Sequence, residues 1–340
     1  MPVTLKDVAM LAGVSVSTVN QVLKPQPGRH YSEATCKKVM DAANQLGYRP
    51  NGYAQAMRAG RFNSVALLLS TEKGHSTIPS GLIDGLLSAL EHVELHLNVS
   101  RLPDAKLTHE GYLPRILRSL LVDGLLINYS SRIPVKMSDL LSRNRIPAIY
   151  INSKWDKNCV YPDEVAAGRL ATEVLFEQGN KRIAYFDLSV GSHEIARGIA
   201  HYSVTDRERG YRHAMEKAAL EPIVVREHEP VPVKERAAFL AEWLRNHPDI
   251  TAIVDGPGST TIPLLAGAAM TGRIVGRCIQ VSWIGNQETT VMGAPVNRVT
   301  YSGAELGRRA AAAISRLLEK RSRPIEPTVV QPTVIPHEER

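Results

Sequence analysis

Residues 4–24 read TLKDVAMLAGVSVSTVNQVLK, a pattern of two short amphipathic helices joined by a glycine turn. Thr4 and Asp7 have the spacing of a capping box, which predicts that the first helix begins near Leu5. Gly13 can adopt the positive φ that ends this helix, and Ser15 can cap the next one. Such a pair is typical of a helix-turn-helix, whose second helix enters the major groove of DNA. An ordinary two-helix hairpin with a solvated face is the alternative.

The second helix is predicted to have an apolar face and a polar face. Val19, Val22 and Leu23 are expected to point inward. The polar positions fall at i, i+3, i+4 and i+7 and are Ser17, Asn20, Gln21 and Lys24. A short polar face with one positive charge at the start of a helix suits base edges and phosphates.

A third helix and a short fourth segment follow. Ser32 can cap a helix that Gly47 ends, with an apolar face of Val39, Ala42, Ala43 and Leu46. Pro50 prevents this helix from continuing. Asn51 can cap a further helix through Arg58, and eight residues are too few for a stable isolated helix. We therefore expect a hinge helix that orders on binding.

Positive charge is concentrated in this N-terminal part. Residues 1–64 contain eight basic and three acidic residues, a net +5, whereas the whole chain carries +7. The other 276 residues therefore carry only +2. A basic segment of this kind favours phosphate contacts, although charge alone would equally describe a small soluble domain.

The remaining composition sets broad limits. A chain of 340 residues suggests two or three domains, and 44% hydrophobic residues allow a large core. Cys36, Cys159 and Cys278 are widely spaced, which predicts reduced, mostly buried thiols and a cytoplasmic protein. The pattern that begins at Thr4 leaves no room for a secretory signal, and no apolar run is long enough to span a membrane.

Beyond residue 62, short apolar strands alternate with amphipathic helices, which predicts parallel sheets covered on both faces. The predicted strands are 65–69, 95–100, 122–127, 148–151, 182–188, 223–226, 251–254, 278–284 and 298–301. The predicted helices are 82–92, 113–120, 136–143, 163–178, 207–219, 234–246, 262–271 and 305–320. Two such rounds predict a crevice between them, near the carboxyl ends of the strands, that takes a ligand.

These motifs resemble the LacI/GalR family, the lactose-repressor-like transcription regulators. The resemblance rests on residues 4–22, on Gly-Tyr-Arg-Pro-Asn at 47–51 and on residues 54–58. It implies an all-α helix-turn-helix headpiece (1–49), a hinge helix (50–61) and a periplasmic-binding-protein-like α/β core (62–340) of two doubly wound parallel-sheet subdomains. The implied N-subdomain is about 62–160 and 293–323, and the C-subdomain is about 161–292 and 324–340, with crossings near Val160, Met292 and Pro324.

The resemblance also implies how DNA is bound. The second helix would read the major groove, and the paired hinge helices would bind the minor groove, where Met57 stands at the position of the family's wedging leucine. Gln21 stands where the family commonly has arginine, and glutamine prefers adenine to guanine. The implied DNA-binding residues are Thr4, Val16, Ser17, Thr18, Asn20, Gln21, Ser32, Tyr48, Asn51, Ala54, Gln55, Met57 and Arg58.

The predicted crevice between the subdomains implies a small-molecule effector, and the family resemblance implies that this effector is a sugar. The implied contacts are Ser70, Glu72, Asp163, Tyr202, Arg207, Asp255, Trp283 and Asn286. Three have structural alternatives, because Asp163 could cap a helix, Arg207 could form a surface salt bridge and Trp283 could belong to the core. The family's acidic sugar contact is missing unless Asn286 or Asp255 replaces it.

Taken together, the sequence predicts a homodimeric, sugar-responsive transcriptional repressor that binds a pseudo-palindromic double-stranded operator. No spacing indicates a nucleotide loop, a metal site or a nucleophile elbow, so neither a cofactor nor a metal is expected. A sugar- or nucleoside-processing α/β enzyme and a periplasmic-type sugar-binding protein remain the alternatives.

Overall fold

The computed structural model describes residues 3–23, 30–50, 60–72, 74–103, 115–118, 121–130, 133–285, 293–319 and 323–337. The chain divides into two compact units, residues 1–62 and 63–340. Several residues of the expected DNA and effector sites lie outside the described residues: Lys24, Asn51, Ala54, Gln55, Met57, Arg58 and Asn286.

The first unit contains three helices around a small apolar core. They are α1 (Leu5–Ala12), α2 (Val16–Val22) and α3 (Glu33–Gln45). The Asp7 carboxylate accepts bonds from the backbone N–H of Thr4 at 2.8 Å and from its hydroxyl at 2.7 Å. Gly13 has φ +65° after α1, as its place in the sequence predicts. The core residues are Val8, Ala9, Val19, Val39, Ala42 and Ala43.

The second unit alternates strands and helices. Its helices are α4 (Leu82–Glu91), α5 (Arg115–Arg118), α6 (Val135–Arg143), α7 (Glu164–Glu177), α8 (Ser192–Ala196), α9 (Tyr202–Lys217), α10 (Arg236–Asn246), α11 (Thr261–Ala269) and α12 (Gly303–Glu319). Its strands are β1 (Ser64–Ser70), β2 (His96–Leu102), β3 (Gly124–Asn128), β4 (Ala148–Ile151), β5 (Cys159–Pro162), β6 (Ile183–Phe186), β7 (Ile223–Val225), β8 (Ala252–Asp255), β9 (Gln280–Ile284), β10 (Asn297–Thr300), β11 (Thr328–Val330) and β12 (Thr333–Ile335).

The strands form two six-stranded sheets. The first has the order β11-β5-β4-β3-β1-β2 and the second β12-β10-β9-β8-β6-β7. All the pairs are parallel except β10 with β12. In a parallel sheet the strands end at one edge, which is where α/β proteins place their sites.

Both sheets are buried on both faces. In β1, Val65 and Leu67 pack against α4 and α12, whereas Ala66 and Leu68 pack with residues such as Met137 on the other side. The second sheet repeats this arrangement, with one cluster around Phe186 and another around Tyr185. The uninterrupted apolar runs in the sequence follow from this two-sided burial.

The chain crosses between the sheets later than expected. β5 ends the first passage at Pro162, and β10 belongs to the second sheet rather than to the N-subdomain segment 293–323. β11 returns to the first sheet, and β12 goes back to the second. The structure places the crossings after Pro162, Thr300 and Val330, so the second and third lie later than the predicted positions near Met292 and Pro324. The three-residue strands β11 and β12 give too little pattern to place the third crossing from the sequence.

Some elements differ from the sequence prediction. The helix expected to begin at Arg207 begins at Tyr202, with His201 as its cap. The sequence prediction lacks four short elements, β5, β11, β12 and α8. The expectation of mostly buried thiols is wrong, since only Cys159 is buried and Cys278 is exposed. No helix within the described ranges is long and apolar enough to cross a membrane.

Candidate DNA-binding face and effector cleft

The α2 helix separates an apolar face from a polar one. Val19 is fully buried, whereas Val16, Ser17 and Asn20 are exposed. Ser15 caps the helix by accepting a bond from the Thr18 N–H at 3.0 Å. The amino-terminal half of α2 therefore presents side chains and a partial positive charge to the outside.

Other residues of the predicted DNA face have mixed environments. Gln21 is half-buried, and its side-chain oxygen accepts a bond from the Tyr31 hydroxyl, so it is less free than the sequence suggests. Tyr48 packs against the headpiece core. Thr4 and Ser32 are exposed at the amino ends of α1 and α3, and Ser32 caps α3 through the Thr35 N–H at 3.3 Å.

In the second unit, the turn at residues 152–154 after β4 contacts the start of α9 across the junction of the two sheets. Lys154 Nζ lies 2.7 Å from Asp206 Oδ2. The Asn152 carbonyl lies 2.7 Å from His201 Nε2, whose other ring nitrogen is 2.8 Å from the Ser203 hydroxyl. We call the region beside the carboxyl edges of the two sheets the effector cleft, after the site expected from the sequence, and these contacts join its two sides.

Arg207 and Glu164 form a buried, two-pronged ion pair beside this cleft. Arg207 Nε and Nη2 donate to Glu164 at 2.6 and 2.8 Å, and Nη1 donates to the Gly256 carbonyl at 2.7 Å. The side chains are 12% and 1% exposed. Burial lowers the pKa of Arg207, but the adjacent Glu164 carboxylate more than offsets it, so the net pKa is raised. The alternative role for Arg207 is a salt bridge on the helix surface. The observed salt bridge with Glu164 is buried instead.

Two glycines allow this pair to form. A Cβ on Gly168 would lie 1.9 Å from the Arg207 carbonyl oxygen, and one on Gly210 would lie 2.0 Å from the Val165 carbonyl oxygen. α7 and α9 consequently pack backbone to backbone. This close approach brings the first residue of α7 beside the middle of α9.

The two aspartates of the predicted effector set are engaged by helix ends. Asp163 caps α7 by accepting a bond from the Ala166 N–H at 2.9 Å. Helix capping is the role that the sequence offered as the alternative to an effector contact. Asp255 is fully buried and accepts bonds from the Thr260 N–H and the Thr261 hydroxyl at the start of α11. Burial raises the pKa of Asp255 to about 6, and the Thr261 bond opposes the increase. Its Oδ1 atom has no hydrogen-bond partner among the described residues.

Trp283 is buried in the core of the second sheet, which is the alternative to an effector contact that the sequence left open. The 256–258 turn covers it: a Cβ on Gly258 would lie 1.9 Å from Trp283 Nε1, and one on Gly256 would lie 2.0 Å from the Tyr185 hydroxyl. Close backbone approach therefore explains both glycines in Gly-Pro-Gly.

The remaining predicted effector residues lie at strand ends. Ser70 ends β1, and its hydroxyl accepts a bond from the Glu72 N–H at 2.9 Å. Glu72 is exposed, with its carboxylate 3.8 Å from His75 Nδ1. Tyr202 begins α9, and its hydroxyl donates to the Pro162 carbonyl at 3.3 Å. Ser70 and Glu72 thus lie at the end of a strand of the first sheet and Tyr202 contacts the end of β5, whereas Asp163 and Trp283 contact protein neighbours.

Sequence reasoning missed the partners that organise the cleft, namely Glu164, Asn152, Lys154, His201 and Asp206. Glu164 adjoins Asp163 in the sequence, yet its pairing with a residue 43 positions away leaves no local signal. The only available hint is the short spacing between His201, Asp206 and Arg207 on one helix start.

Family models match both parts of this architecture, the three-helix unit and the two sheets. The family model of the bacterial regulatory proteins of the lacI family matches residues 4–51, and the periplasmic binding protein-like domain matches residues 172–338. The chain therefore has a region similar to the lacI family's DNA-binding domain, followed by a region similar to the periplasmic binding protein-like domain.

The curated relatives of this chain are named as transcriptional regulators. A transcriptional regulator, RegA, from Clostridium saccharobutylicum is 30% identical over 226 residues, covering 65% of this chain and 63% of the relative. A transcriptional repressor, PurR, from Vibrio cholerae is 28% identical over 223 residues, covering 64% and 61%. The chain thus spans about six tenths of the length of these relatives, all of which are named as transcriptional regulators.

Solved structures support the fold. The lac repressor dimer bound to operator and the anti-inducer ONPF superposes with a TM-score of 0.78 at 20% identity, covering 98% of each chain. The complex of the transcriptional regulator CelR with cellobiose gives a TM-score of 0.66 at 22% identity, covering 99% of this chain and 100% of that one.

Proposed function

We propose that this protein is a sequence-specific, DNA-binding transcriptional repressor whose operator affinity is set by a small-molecule effector, a sugar, in the effector cleft. In this proposal the headpiece is residues 1–49, the hinge 50–61 and the core 62–340. The protein needs no cofactor and is not an enzyme. The relatives are named as transcriptional regulators, which supports a role in the regulation of transcription.

The polar face of α2 carries the DNA-binding proposal. Ser17 and Asn20 are one turn apart and exposed, and Val19 anchors the opposite face in the core. Hydroxyl and amide groups at this position suit base edges, and the net +5 charge of residues 1–64 suits phosphates.

A direct experiment is selection of bound sequences from random duplexes by the full chain, followed by footprinting of the selected DNA. We expect a two-fold symmetric protected site and affinity that falls steeply with salt. Recovery of unenriched DNA at low ionic strength would contradict sequence-specific binding.

Unpaired polar atoms support a hydroxyl-rich effector. Asn128 Oδ1 ends β3 of the first sheet and Asp255 Oδ1 ends β8 of the second, and both lack hydrogen-bond partners among the described residues. Hydroxyl groups can donate to such acceptors. Cellobiose, the ligand in the related CelR structure, is a ligand of this kind. A thermal-shift screen of mono- and disaccharides, followed by calorimetry, tests this part, and the absence of any hit would contradict it.

Exposed apolar side chains support a homodimer. Leu87, Val93 and Val99 are exposed near the edge strand β2, and Ile262, Met270 and Ile274 are exposed in and after α11. Surfaces of this kind are typical of interaction sites. Sedimentation should give twice the chain mass, and a monomer at micromolar concentration would contradict the proposal.

A further inference from the structure

Two histidines and a glutamate from separate loops meet at the carboxyl edge of the second sheet. His193 lies on α8, and His228 and Glu229 follow β7. Their three potential ligand atoms lie within 4.8 Å of one another. We propose that these residues form a binding site for a divalent transition-metal ion of the zinc class.

The measured distances suit a common metal. Glu229 Oε1 lies 3.5 Å from His193 Nδ1 and 3.9 Å from His228 Nε2. Metal–nitrogen bonds of about 2.0–2.1 Å in a tetrahedral site place ligand atoms roughly 3.4 Å apart. The His228 and Glu229 side chains are 79% and 69% exposed, so small rotations can close the remaining gap.

The backbone holds the two loops together. The Ser192 N–H donates to the Glu227 carbonyl at 3.0 Å. A Cβ on Gly191 would lie 2.3 Å from the His228 carbonyl oxygen and 2.7 Å from His193 Nδ1, so only glycine allows this approach. The ligands are therefore brought together by the fold rather than by chance rotation of long side chains.

His193 Nδ1 also lies 2.7 Å from the His228 carbonyl oxygen, to which it donates in the metal-free arrangement. Metal binding requires the neutral ring to carry its proton on Nε2 instead, which leaves the Nδ1 lone pair for the ion. The change combines a tautomer exchange, in which the ring neither gains nor loses a proton, with a rotation that turns Nδ1 away from the carbonyl oxygen.

The donor set defines the class of ion. Two imidazole nitrogens and one carboxylate oxygen suit Zn²⁺ and its neighbours, whereas Mg²⁺ and Ca²⁺ prefer oxygen ligands alone. Three protein ligands leave a fourth position for water. The sequence alone gives no signal for this site, because His193 and His228 are 35 residues apart.

The test uses the full chain without a histidine tag, in a Cys278→Ser background that removes the exposed thiol. Zn²⁺ is titrated against a chromophoric chelator, and Co²⁺ absorption reports coordination geometry. We expect one ion per chain, and an affinity reduced by at least about tenfold in His193→Ala and in His228→Ala.

His92→Ala is the matched control, because His92 is exposed and its Nδ1 lies 2.6 Å from the Ser88 carbonyl in the same kind of contact. Its zinc affinity should equal that of the parent. If His193→Ala fails to fold, the mostly exposed His228 still provides the test. Absence of a bound ion, or equal affinity in His228→Ala and His92→Ala, overturns the proposal.

Discussion

The polar side chains of the α2 face and those beside the effector cleft differ in exposure and in hydrogen bonding. Ser17 and Asn20 are exposed and have no side-chain hydrogen-bond partner in the described part of the chain. Arg207 and Glu164 are buried and bonded to each other, and the buried Asp255 is bonded to Thr260 and Thr261. The first surface is ready for a partner, whereas a ligand in the cleft has to replace contacts that already stabilise the core.

The largest effect should come from breaking the buried pair. Arg207→Ala leaves the Glu164 carboxylate buried without its partner, and we expect a loss of about 3–5 kcal/mol in the free energy of unfolding. Urea denaturation measures it. The matched control is Arg169→Ala, which removes an exposed pair with Glu173 and should cost no more than about 1 kcal/mol.

A double variant separates charge from packing. Replacing Glu164 by Leu and Arg207 by Met should recover most of the lost stability, since no unpaired charge remains. Equal losses in Arg207→Ala and Arg169→Ala would mean that the two pairs do not differ as their burial requires.

The second effect is a pH dependence from Asp255. Its pKa is raised from 3.8 to about 6 by burial, so the stabilising contribution is complete below pH 3.8 and is lost as pH rises through 6. Relative to Asp255→Asn, the parent should lose about 2 kcal/mol between pH 4 and pH 7.

The Asp249→Asn variant tests a carboxyl whose effect on stability should change with pH in the opposite direction. The Arg182 hydrogen bond lowers the pKa of this exposed carboxyl, so the parent should lose stability relative to the variant as pH falls. Urea midpoints across this pH range measure both differences. A parallel response in the two variants would show that Asp255 is not a buried, raised acid.

The third prediction concerns the exposed face. Asn20→Ala should weaken binding to the selected DNA by about 1–3 kcal/mol, because an amide pair with a base edge is lost. Fluorescence anisotropy measures this. Asn44→Ala changes an exposed asparagine in the last turn of α3 and should bind as the parent does. Unchanged binding in both variants would remove Asn20 from the interface.

The smallest effect is expected at the helix cap. Ser15→Ala removes the acceptor of the Thr18 N–H bond and should destabilise α2 by about 1 kcal/mol, which is roughly fivefold faster amide exchange. Hydrogen exchange of headpiece peptides measures it. Ser17→Ala lacks a capping bond to remove and should exchange like the parent.

The difference between the two regions also explains what the sequence could predict. The caps at Ser15 and Ser32 and the stop at Gly13 depend on neighbours within five residues, so local reasoning located them. The contacts that organise the cleft join residues such as Glu164 and Arg207, which are 43 positions apart. Only the packing of α7 on α9 brings them together.

The long strand β1 was predicted, whereas short strands were predicted only in part, since β7 was found and β5, β11 and β12 were not. β1 has seven buried residues with five consecutive apolar ones, whereas β11 and β12 have three residues each and carry the last crossing between the sheets. A three-residue strand has too little periodicity to distinguish it from a loop.

The most direct test is to measure DNA affinity of the full chain with and without a sugar identified by thermal shift, and sugar affinity with and without the DNA. The proposed function predicts that the two affinities change by the same factor. Selective DNA binding that no cleft ligand alters would contradict control by an effector, and a lack of selective binding at low salt would contradict the function itself.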